Sequence, residues 1–569
     1  MTSVGMPDAW SRQRGAKVAR ALGERAATLA PMFVVIGLAI VAQAHLGATT
    51  DVSWLITLAE RTLDGEIPYV DFLEPNPPAS ILLYVAPAAL ARLTGATPEF
   101  MVAAFGFTAV FASVACCAGI LARAGLASRV GPAGLLATLA ILLLLPARTF
   151  DQRDHIALIA CLPFMAVCAA RAEGRTVGRL ASIAAGLGAA AMLSIRPHCA
   201  LAILAPLGLA AGRRGWRILF NSPEIYAAGA GVVVYGLVIV LAFPVYLEKL
   251  LPMVATLYVP IRQPAWRMLI DPGFICWSAL ACALWRLGTR RWREPIAAIP
   301  ALASAGALAS FFIQAKGWPY HIYPAVALMA LALALALGPR LRPNRAFWLS
   351  LAGFLAGWTS AFLDGAWPIQ AMLGLTFGVI GLVAAALLMR RREAWAILHG
   401  DLLAIVAGAA AGVGAIWFAH GDPRHPQLEE AVRRIGPHPS VLEISGDISI
   451  GHPLVRQLGG VWAQRVCSLW ITAGADHLLA TFAGDAAARE AIERYRRLDR
   501  TMLTQDIARN RPDAILVSIQ SPPLSGDLLS NAEVVAALAD YRLAESVDIG
   551  DDTVSVYARR ILRPGLDEH

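Results

Sequence analysis

The sequence predicts a polytopic α-helical membrane protein that ends in a soluble α/β domain. Of its 569 residues, 57% are hydrophobic and 15% are charged, whereas soluble domains carry roughly 25% charged residues. Apolar runs near the ~20 residues that cross a bilayer recur between residues 27 and 419. From residue 421 onward, short apolar runs such as "VLEIS" alternate with charged segments, which indicates the strands and helices of a compact soluble domain.

Clusters of Lys and Arg predict which apolar runs cross the membrane, because such clusters gather on the cytoplasmic side. All the clusters fall on one side if thirteen spans are assigned, near 27–47, 99–122, 131–147, 155–170, 179–195, 198–212, 225–244, 272–288, 295–313, 320–338, 346–363, 368–389 and 400–419. The run 77–94 then does not cross. Its two leading prolines and Pro87 suit a helix that lies at the interface or re-enters the membrane.

Three parts are expected along the chain. Residues 1–26 form a basic cytoplasmic N-terminus, and the apolar run that follows lacks an obvious cleavage site, which predicts an uncleaved first helix. Residues 27–420 form the transmembrane domain, with an external loop over 48–98. Residues 421–569 form an α/β domain on the external side.

The remaining composition excludes several classes of site. The net charge of +8 does not predict nucleic-acid binding, because the basic residues form short clusters between apolar runs. Seven of the eight cysteines lie within or beside apolar runs, so neither a disulfide framework nor a cysteine metal site is expected. No P-loop, G-x-S-x-G or H-E-x-x-H motif is present.

Asp51 opens an amphipathic run in the first external loop. Apolar residues recur there at helical spacing, namely Trp54, Leu55, Leu58 and Leu63. Gly65 and Pro68 end the run within "GEIPY", which closes on Tyr69, and an acidic, proline-rich turn follows as "EPNPP" over 74–78. Asp51 also has a purely structural interpretation, because Thr49, Thr50 and Asp51 all suit the cap of a helix.

An Asp, an amphipathic helix, G-x-x-P-Y and an acidic, proline-rich turn after the first span together resemble the first external loop of the GT-C glycosyltransferases. These polyprenyl-phosphate-sugar enzymes include the aminoarabinose transferases of lipid A and the protein O-mannosyltransferases. The resemblance covers residues 27 to about 340. It implies juxtamembrane helices in the loop, and it implies that Asp51 is the catalytic base or positions the acceptor.

The proline-rich turn departs from that family. Related aminoarabinose transferases hold the donor phosphate with the lysine of a Glu-Lys-Pro-Pro turn, whereas Asn76 stands at that place in this chain. The phosphate must therefore be held by other residues. Glu74, Asn76 and Tyr69, together with Arg262 of a later loop, are expected on the acceptor side of the site.

A charged cluster, "RTFDQRDH" over residues 148–155, precedes a later span. It resembles a family element in which an Arg is followed by an Asp at the external mouth of a helix. Arg148 and Arg153 are then expected to bind the donor phosphate, and Asp154 to hold an acceptor hydroxyl or a metal ion. The alternative is a set of interfacial ion pairs in which Asp151, Arg153 and Asp154 satisfy one another.

The segment "IQAKGWPYHIYP", residues 313–324, is the third candidate. Lys316 and His321 there would stabilise the charge that grows on a leaving phosphate. The alternative is an aromatic belt at the lipid headgroups with Lys316 extending toward them.

Two further candidates have plainer alternatives. Arg196 in "IRPH" is a phosphate contact or merely precedes a helix break at Pro197. The loop 245–271, with Arg262, closes over the donor or is an interfacial segment.

These elements predict an inverting GT-C glycosyltransferase at the periplasmic face of a bacterial inner membrane, with a cytoplasmic N-terminus and a periplasmic C-terminal domain. It would move a sugar from a polyprenyl phosphate to a glycan, lipid or protein acceptor. Other expected contacts are with membrane lipids and not with nucleic acid. A divalent cation, Mg²⁺ or Mn²⁺, stays open as a cofactor, because no ligand set is compelling.

Two alternatives of other classes stay open. A transporter or flippase of lipid-linked saccharides would need polar residues at the membrane midplane, whereas the charges here concentrate in the outer loops. A non-catalytic envelope assembly protein would use the C-terminal domain to bind a partner.

Overall fold

The structure is a computed structural model that describes residues 29–286, 290–337, 354, 358, 396–419, 424–480, 484–520, 524, 527–550 and 552–560. The predicted cytoplasmic N-terminus and the predicted span 368–389 lie outside these residues. So does the predicted span 346–363, apart from Phe354 and Trp358.

Helices dominate the first three quarters of the chain. They are α1 Leu29–Leu46, α2 Thr50–Leu63, α3 Ala79–Thr94, α4 Pro98–Arg123, α5 Ala127–Leu143, α6 Arg153–Ala172, α7 Arg179–Ile195, α8 Ala200–Arg214, α9 Arg217–Phe220, α10 Pro223–Ala242, α11 Leu251–Leu257, α12 Ala265–Leu269, α13 Pro272–Arg286, α14 Pro295–Gln314, α15 Pro319–Leu337 and α16 Ala396–Ala419. Short turns of 3₁₀ helix lie at Ala147–Thr149, Pro197–Cys199 and Arg290–Arg293, and a π-helical turn at Tyr246–Leu250.

Six helices in the described part of the chain are long and apolar enough to cross a membrane, judged by length and composition: α1, α4, α6, α10, α14 and α15. Shorter apolar helices include α3, α5, α7 and α13. The predicted total of thirteen spans therefore stays a prediction. The run 77–94 forms the 16-residue helix α3, shorter than the ~20 residues that cross hydrocarbon at right angles.

The bundle is arranged around α6. This helix is buried along nearly its whole length and packs against α4, α7 and α8, whereas α10 is exposed along most of its surface. A kink at Gly131 (φ 63°), followed by Pro132, interrupts α5. Placing α6 at the centre puts its first turn, with Arg153 and Asp154, inside the protein rather than in an exposed loop.

The C-terminal region, residues 424–560, contains a mixed five-stranded sheet, as expected for an α/β domain. Its elements are α17 Pro426–Arg433, β1 Ser440–Ile444, α18 Leu454–Gln457, β2 Val461–Trp462, α19 Trp470–Ala480, α20 Ala486–Asn510, β3 Ala514–Val517, α21 Asp527–Ser530, α22 Ala532–Ala537, β4 Tyr541–Ile549 and β5 Asp552–Arg559. The strand order is β2-β1-β3-β5-β4. Strand β1 pairs in parallel with β2 and β3, and β5 pairs antiparallel with β3 and β4.

The first external loop and the C-terminal region share one hydrophobic core. Trp54 and Leu58 of α2 belong to the same buried cluster as Val441 of β1 and Val455 of α18. The loop backbone is tied to the region as well, because Leu73 N donates to the carbonyl of Arg465 at 2.8 Å. Helix α2 is therefore held from both sides, by the bundle and by the C-terminal region.

Candidate active site

Asp51 lies in the first turn of α2 but does not cap the helix. The cap is Thr49, whose hydroxyl accepts a hydrogen bond from Val52 N at 3.4 Å. The side chain of Asp51 is 26% exposed, and its carboxylate lies 3.6 Å from Nη2 of Arg153. Asp51 is thus an accessible carboxylate directed at a buried cation.

Arg153, the first residue of α6, has a side chain that is only 4% exposed. Its guanidinium lies 3.6 Å from Asp51 and 3.7 Å from Glu74, and both distances exceed a normal hydrogen bond. Its Nε and Nη1 have no hydrogen-bond partner among the residues that the structure describes. A buried cation with unsatisfied donors costs free energy, so this group favours an anion beside it.

Glu74 is held in place by the turn that carries it. Trp54 Nε1 donates to one of its carboxylate oxygens at 2.7 Å, and the backbone N of Asn76 donates to the other at 3.1 Å. Tyr69 donates its hydroxyl proton to the carbonyl of Asn76 at 2.9 Å. Burial raises the pKa of the Glu74 carboxyl, and Arg153 opposes that rise. Glu74, Asn76 and Tyr69 thus form a buried scaffold behind Arg153.

Arg196 brings a second buried guanidinium to the site from the C-terminal end of α7. It forms an ion pair with Asp154 of α6, and both side chains are almost fully buried. Its Cζ lies 5.8 Å from the centre of the Tyr320 ring. Its Nε has no hydrogen-bond partner in the described part of the chain. Asp154 is engaged by Arg196, which favours a positioning role for Asp154 over the predicted contact with an acceptor hydroxyl.

Lys316 approaches the same place from the loop before α15. Its Nζ donates to the carbonyls of Tyr258 at 2.5 Å and Ile261 at 2.6 Å, and lies 4.0 Å from the centre of the Tyr258 ring. Burial, together with the nearby charge of Arg262, lowers the pKa of Lys316 to about 8. Arg262 itself is exposed. Lys316 is thus held by loop 245–271 rather than extending freely toward lipid headgroups.

His321 is buried in the first turns of α15, near three of these cations. It lies close enough to Arg153, Arg196 and Lys316 to interact electrostatically with each. Neither ring nitrogen has a hydrogen-bond partner among the described residues. Its ring packs against those of Trp318 and Tyr320, so the aromatic residues of this segment line the site.

Two tyrosines show that these groups converge. Tyr320 interacts electrostatically with Asp51, Arg153 and Arg196. Tyr258 interacts with the same three residues. The structure therefore brings together side chains from α2, α6, α7, α15 and two loops. The partly exposed carboxylate of Asp51 faces the guanidinium of Arg153, and Tyr258 and Tyr320 link this pair to Lys316 and Arg196. The arrangement is suited to acid–base chemistry beside a phosphate.

Arg148 donates hydrogen bonds to the ends of two helices, and its predicted contact with the donor phosphate stays a prediction. Its Nε donates to the carbonyl of Ala419 at 2.9 Å and its Nη1 to that of Leu46 at 3.3 Å. These carbonyls end α16 and α1, where the helix dipoles favour a cation. The arginine that faces Asp51 is Arg153.

The ion pairs observed around residues 151–154 also differ from the predicted alternative. Arg153 pairs with Asp51 and Glu74, and Asp154 pairs with Arg196. Asp151 adopts a left-handed backbone (φ 61°) and directs its carboxylate at α4, where a Cβ on Gly106 would overlap it. Burial raises the pKa of Asp151.

The chain resembles two crystal structures of ArnT from Cupriavidus metallidurans. The complex with undecaprenyl phosphate is 13% identical with a TM-score of 0.51, over 93% of this chain and 98% of that one. The apo structure is 15% identical with a TM-score of 0.51, over 95% of this chain and 99% of that one. ArnT is a GT-C aminoarabinose transferase. The chain has the GT-C fold.

The GT-C fold predicted from the sequence is thereby confirmed, and with it a multi-pass membrane protein. The likeness covers nearly the whole chain, including the C-terminal region that lies beyond the expected limit near residue 340. No protein-family model and no curated protein matches the sequence.

The sequence did not predict that Tyr258 and Tyr84 lie at the candidate site. Tyr84 of α3 donates its hydroxyl proton to the carbonyl of Asp151 at 2.7 Å and interacts electrostatically with Arg153. Neither tyrosine belongs to a motif, and aromatic residues are common in interfacial segments. A weak signal for Tyr258 was its position in the loop that carries Arg262.

The described residues contain no group of three or more His, Cys, Asp or Glu side chains that could hold a metal ion. The three carboxylates of the site are each directed at an arginine instead, as Asp51 and Glu74 are at Arg153 and Asp154 is at Arg196. These carboxylates therefore do not fit the Mg²⁺ or Mn²⁺ ion that the sequence left open as a cofactor.

Proposed function

We propose that this protein is an inverting glycosyltransferase that moves a sugar from a polyprenyl phosphate to an acceptor at the periplasmic face of a bacterial inner membrane. The acceptor is a glycan, lipid or protein. The fold supports this proposal, because the similar ArnT structure is bound to undecaprenyl phosphate.

The observation that carries the proposal is that Arg153 is buried and has unsatisfied hydrogen-bond donors. Its guanidinium is buried at the start of α6 and lacks hydrogen-bond partners for two nitrogens within the described residues. It lies 3.6 Å from the partly exposed carboxylate of Asp51. A purely structural arginine would close its hydrogen bonds with carboxylates. A phosphate oxygen beside Arg153 and Arg196 would satisfy donors that the protein leaves unsatisfied.

The reaction then proceeds by one displacement. Asp51 accepts the proton of the acceptor hydroxyl while that oxygen attacks the anomeric carbon on the face opposite the phosphate. A glycosidic C–O bond forms as the bond from the anomeric carbon to the phosphate oxygen breaks, and its electron pair stays on the phosphate. The configuration at the anomeric carbon therefore inverts, and the products are the glycosylated acceptor and the polyprenyl phosphate.

The cations stabilise the leaving phosphate. Arg153, Arg196 and Lys316 are already oriented by Glu74, Asp154 and the carbonyl of Tyr258. Fixed positive charge of this kind needs no rearrangement during the reaction, and it usually lowers the barrier more than any other catalytic effect. His321 adds a donor or acceptor beside them. Asp154 acts on Arg196 as a positioning residue.

The central test is Asp51→Asn, with Asp64→Asn as matched control. Asp64 also lies in the first external loop, but its side chain is 62% exposed and pairs with Arg92. Each variant is expressed in cells that lack the protein, and mass spectrometry of envelope lipids and glycans measures the product. We expect no product with Asp51→Asn at normal expression, and normal product with Asp64→Asn.

The outcome also separates the competing functions. Normal product with Asp51→Asn would contradict base catalysis at this site and favour a transporter or an assembly protein. A second outcome would contradict a glycosyltransferase altogether. In that outcome the unaltered protein makes no product, and deleting it changes no envelope glycan or lipid.

A further inference from the structure

Arg456 of α18 joins the C-terminal region to two membrane-side helices at once. Its guanidinium forms ion pairs with Glu60 of α2 and, at 2.6 Å, with Glu99 of α4. Its Nη1 also donates to the hydroxyl of Thr57 at 3.3 Å. The Arg456 side chain is only 12% exposed, so its guanidinium is largely shielded from solvent, although Glu60 and Glu99 are 29% and 36% exposed.

His452 makes further contacts between the C-terminal region and α2. Its carbonyl accepts a hydrogen bond from the Thr50 hydroxyl at 3.1 Å, and its Nε2 lies 3.4 Å from the Thr57 hydroxyl. The ring packs edge-on against Trp54 and Trp462, with centroid distances of 5.4 and 4.5 Å. Burial lowers the pKa of His452 to about 3, so the ring is neutral at physiological pH and suits these aromatic neighbours.

These contacts select one face of α2. Thr50, Trp54 and Thr57 are spaced as neighbours on one side of a helix and all meet the C-terminal region. Asp51 follows Thr50 by about 100° around the axis and pairs with Arg153 of the bundle instead. The orientation of α2 about its own axis, and with it the direction of Asp51, is thus set by the contacts that hold the adjoining face.

A second route links the same contacts to the cations. Trp54, which packs against His452, donates its indole N–H to Glu74, and Glu74 lies 3.7 Å from Arg153. A displacement of α2 would therefore move both carboxylates that face Arg153.

We propose that Arg456, with His452, is a positioning residue that fixes α2 against the bundle and so aims Asp51 at the reacting acceptor. The C-terminal region is then a structural part of the catalytic site rather than a separate binding module. This inference rests on the proposed function. Because a misplacement of about 1 Å at a catalytic group costs about 100-fold in rate, loosening α2 should lower turnover while leaving the phosphate site intact.

The test compares Arg456→Gln, Arg456→Lys and the control Arg434→Gln. Arg434 is another arginine of the C-terminal region, 61% exposed, that pairs with Glu545 at 3.1 Å within that region. Transfer is measured on full-length protein in detergent, with a detergent extract of whole envelopes from deletion cells supplying both the lipid-linked donor and the acceptor. Binding of undecaprenyl phosphate is measured separately by the rise in the melting temperature of the protein.

We expect Arg456→Gln to lower the transfer rate at saturating extract about 10- to 100-fold, with Arg456→Lys intermediate because it keeps one ion pair. Affinity for undecaprenyl phosphate should stay within about 2-fold in both variants, since Arg153, Arg196 and Lys316 are untouched. Arg434→Gln should match the unaltered protein. If Arg456→Gln folds poorly, the transfer rate and undecaprenyl phosphate binding of Arg456→Lys are compared instead.

Two results would overturn the inference. One is an unchanged transfer rate in a folded Arg456 variant. The other is an equal loss of transfer and of undecaprenyl phosphate binding, which indicates general unfolding rather than positioning. Failure of the proposed function is distinguishable, because the unaltered protein would then make no product from the extract.

Discussion

Two arginines at opposite ends of α6 have opposite kinds of contact with carboxylates. At the far end, where α6 ends, Arg171 forms a bidentate pair with Glu224 of α10, with distances of 3.0 and 3.2 Å. At the site end, where α6 begins, Arg153 lies 3.6 and 3.7 Å from two carboxylates and keeps two nitrogens without partners among the described residues. The Arg171 side chain is 20% exposed and that of Arg153 only 4%, so the more deeply buried arginine is the one with fewer close partners.

The difference supports the proposal that the Arg153 end is the reacting end. The Arg171–Glu224 pair is closed, and helix packing supports it, because the glycine at 186 lets α7 approach the backbone of Glu224 closely. A closed bidentate pair has little left to offer a ligand. The open arrangement at Arg153 retains unsatisfied donors at a cost in stability, a departure from local rules that is expected at functional sites.

The largest effect is expected from Arg153→Gln. Removing this cation should lower the transfer rate about 100- to 1,000-fold, as the loss of one preorganised donor to a developing negative charge does elsewhere. It should also weaken the thermal stabilisation by undecaprenyl phosphate. Transfer assays and melting curves with the lipid measure both. Retention of full lipid stabilisation would show that the phosphate binds elsewhere.

Arg171→Gln should affect stability instead. It leaves Glu224, whose side chain is 3% exposed, without its cation. Breaking such a pair costs about 3–5 kcal/mol. We expect a lower melting temperature and a lower yield of folded protein, but an unchanged transfer rate per folded molecule. A fall in that rate as large as with Arg153→Gln would erase the distinction between the two ends.

The smallest effect concerns pH. Because the pKa of Lys316 is lowered to about 8, its ammonium form predominates below pH 8 and is lost as the pH rises. The value of kcat/KM for the donor, which reports the free enzyme, should therefore decline above about pH 8. Lys316→Arg should move this decline to higher pH, since guanidinium stays protonated. An identical decline in the arginine variant would assign it to another group.

Much of the membrane architecture was predictable from the sequence. Apolar runs of spanning length predicted α1, α4, α6, α10, α14 and α15, since hydrocarbon imposes a length on any helix that crosses it. The helical spacing after Asp51 predicted α2, and the loop pattern predicted the GT-C fold. These features are local, so they are visible along the chain.

The partners within the site were not predictable in the same way. Arg148 and Arg153 occupy one short charged segment, yet Arg148 caps the ends of α1 and α16 while Arg153 faces Asp51. Sequence alone does not separate them, because a single 3₁₀ turn and the start of α6 rotate the two side chains toward different neighbours. Tyr258 likewise belongs to the site through its contact with Lys316, and these two residues are far apart in the chain.

Hydrophobicity and helical periodicity are properties of neighbouring residues. The amino-acid sequence was therefore enough to predict a membrane-spanning chain, an amphipathic helix that begins near Asp51, and clusters of cations in the loops. Which cation pairs with which carboxylate, and the contact of Arg456 with α2, depend on how the helices and the C-terminal region pack. Those pairings join residues up to 396 positions apart in the chain, and only packing brings such residues within reach of one another.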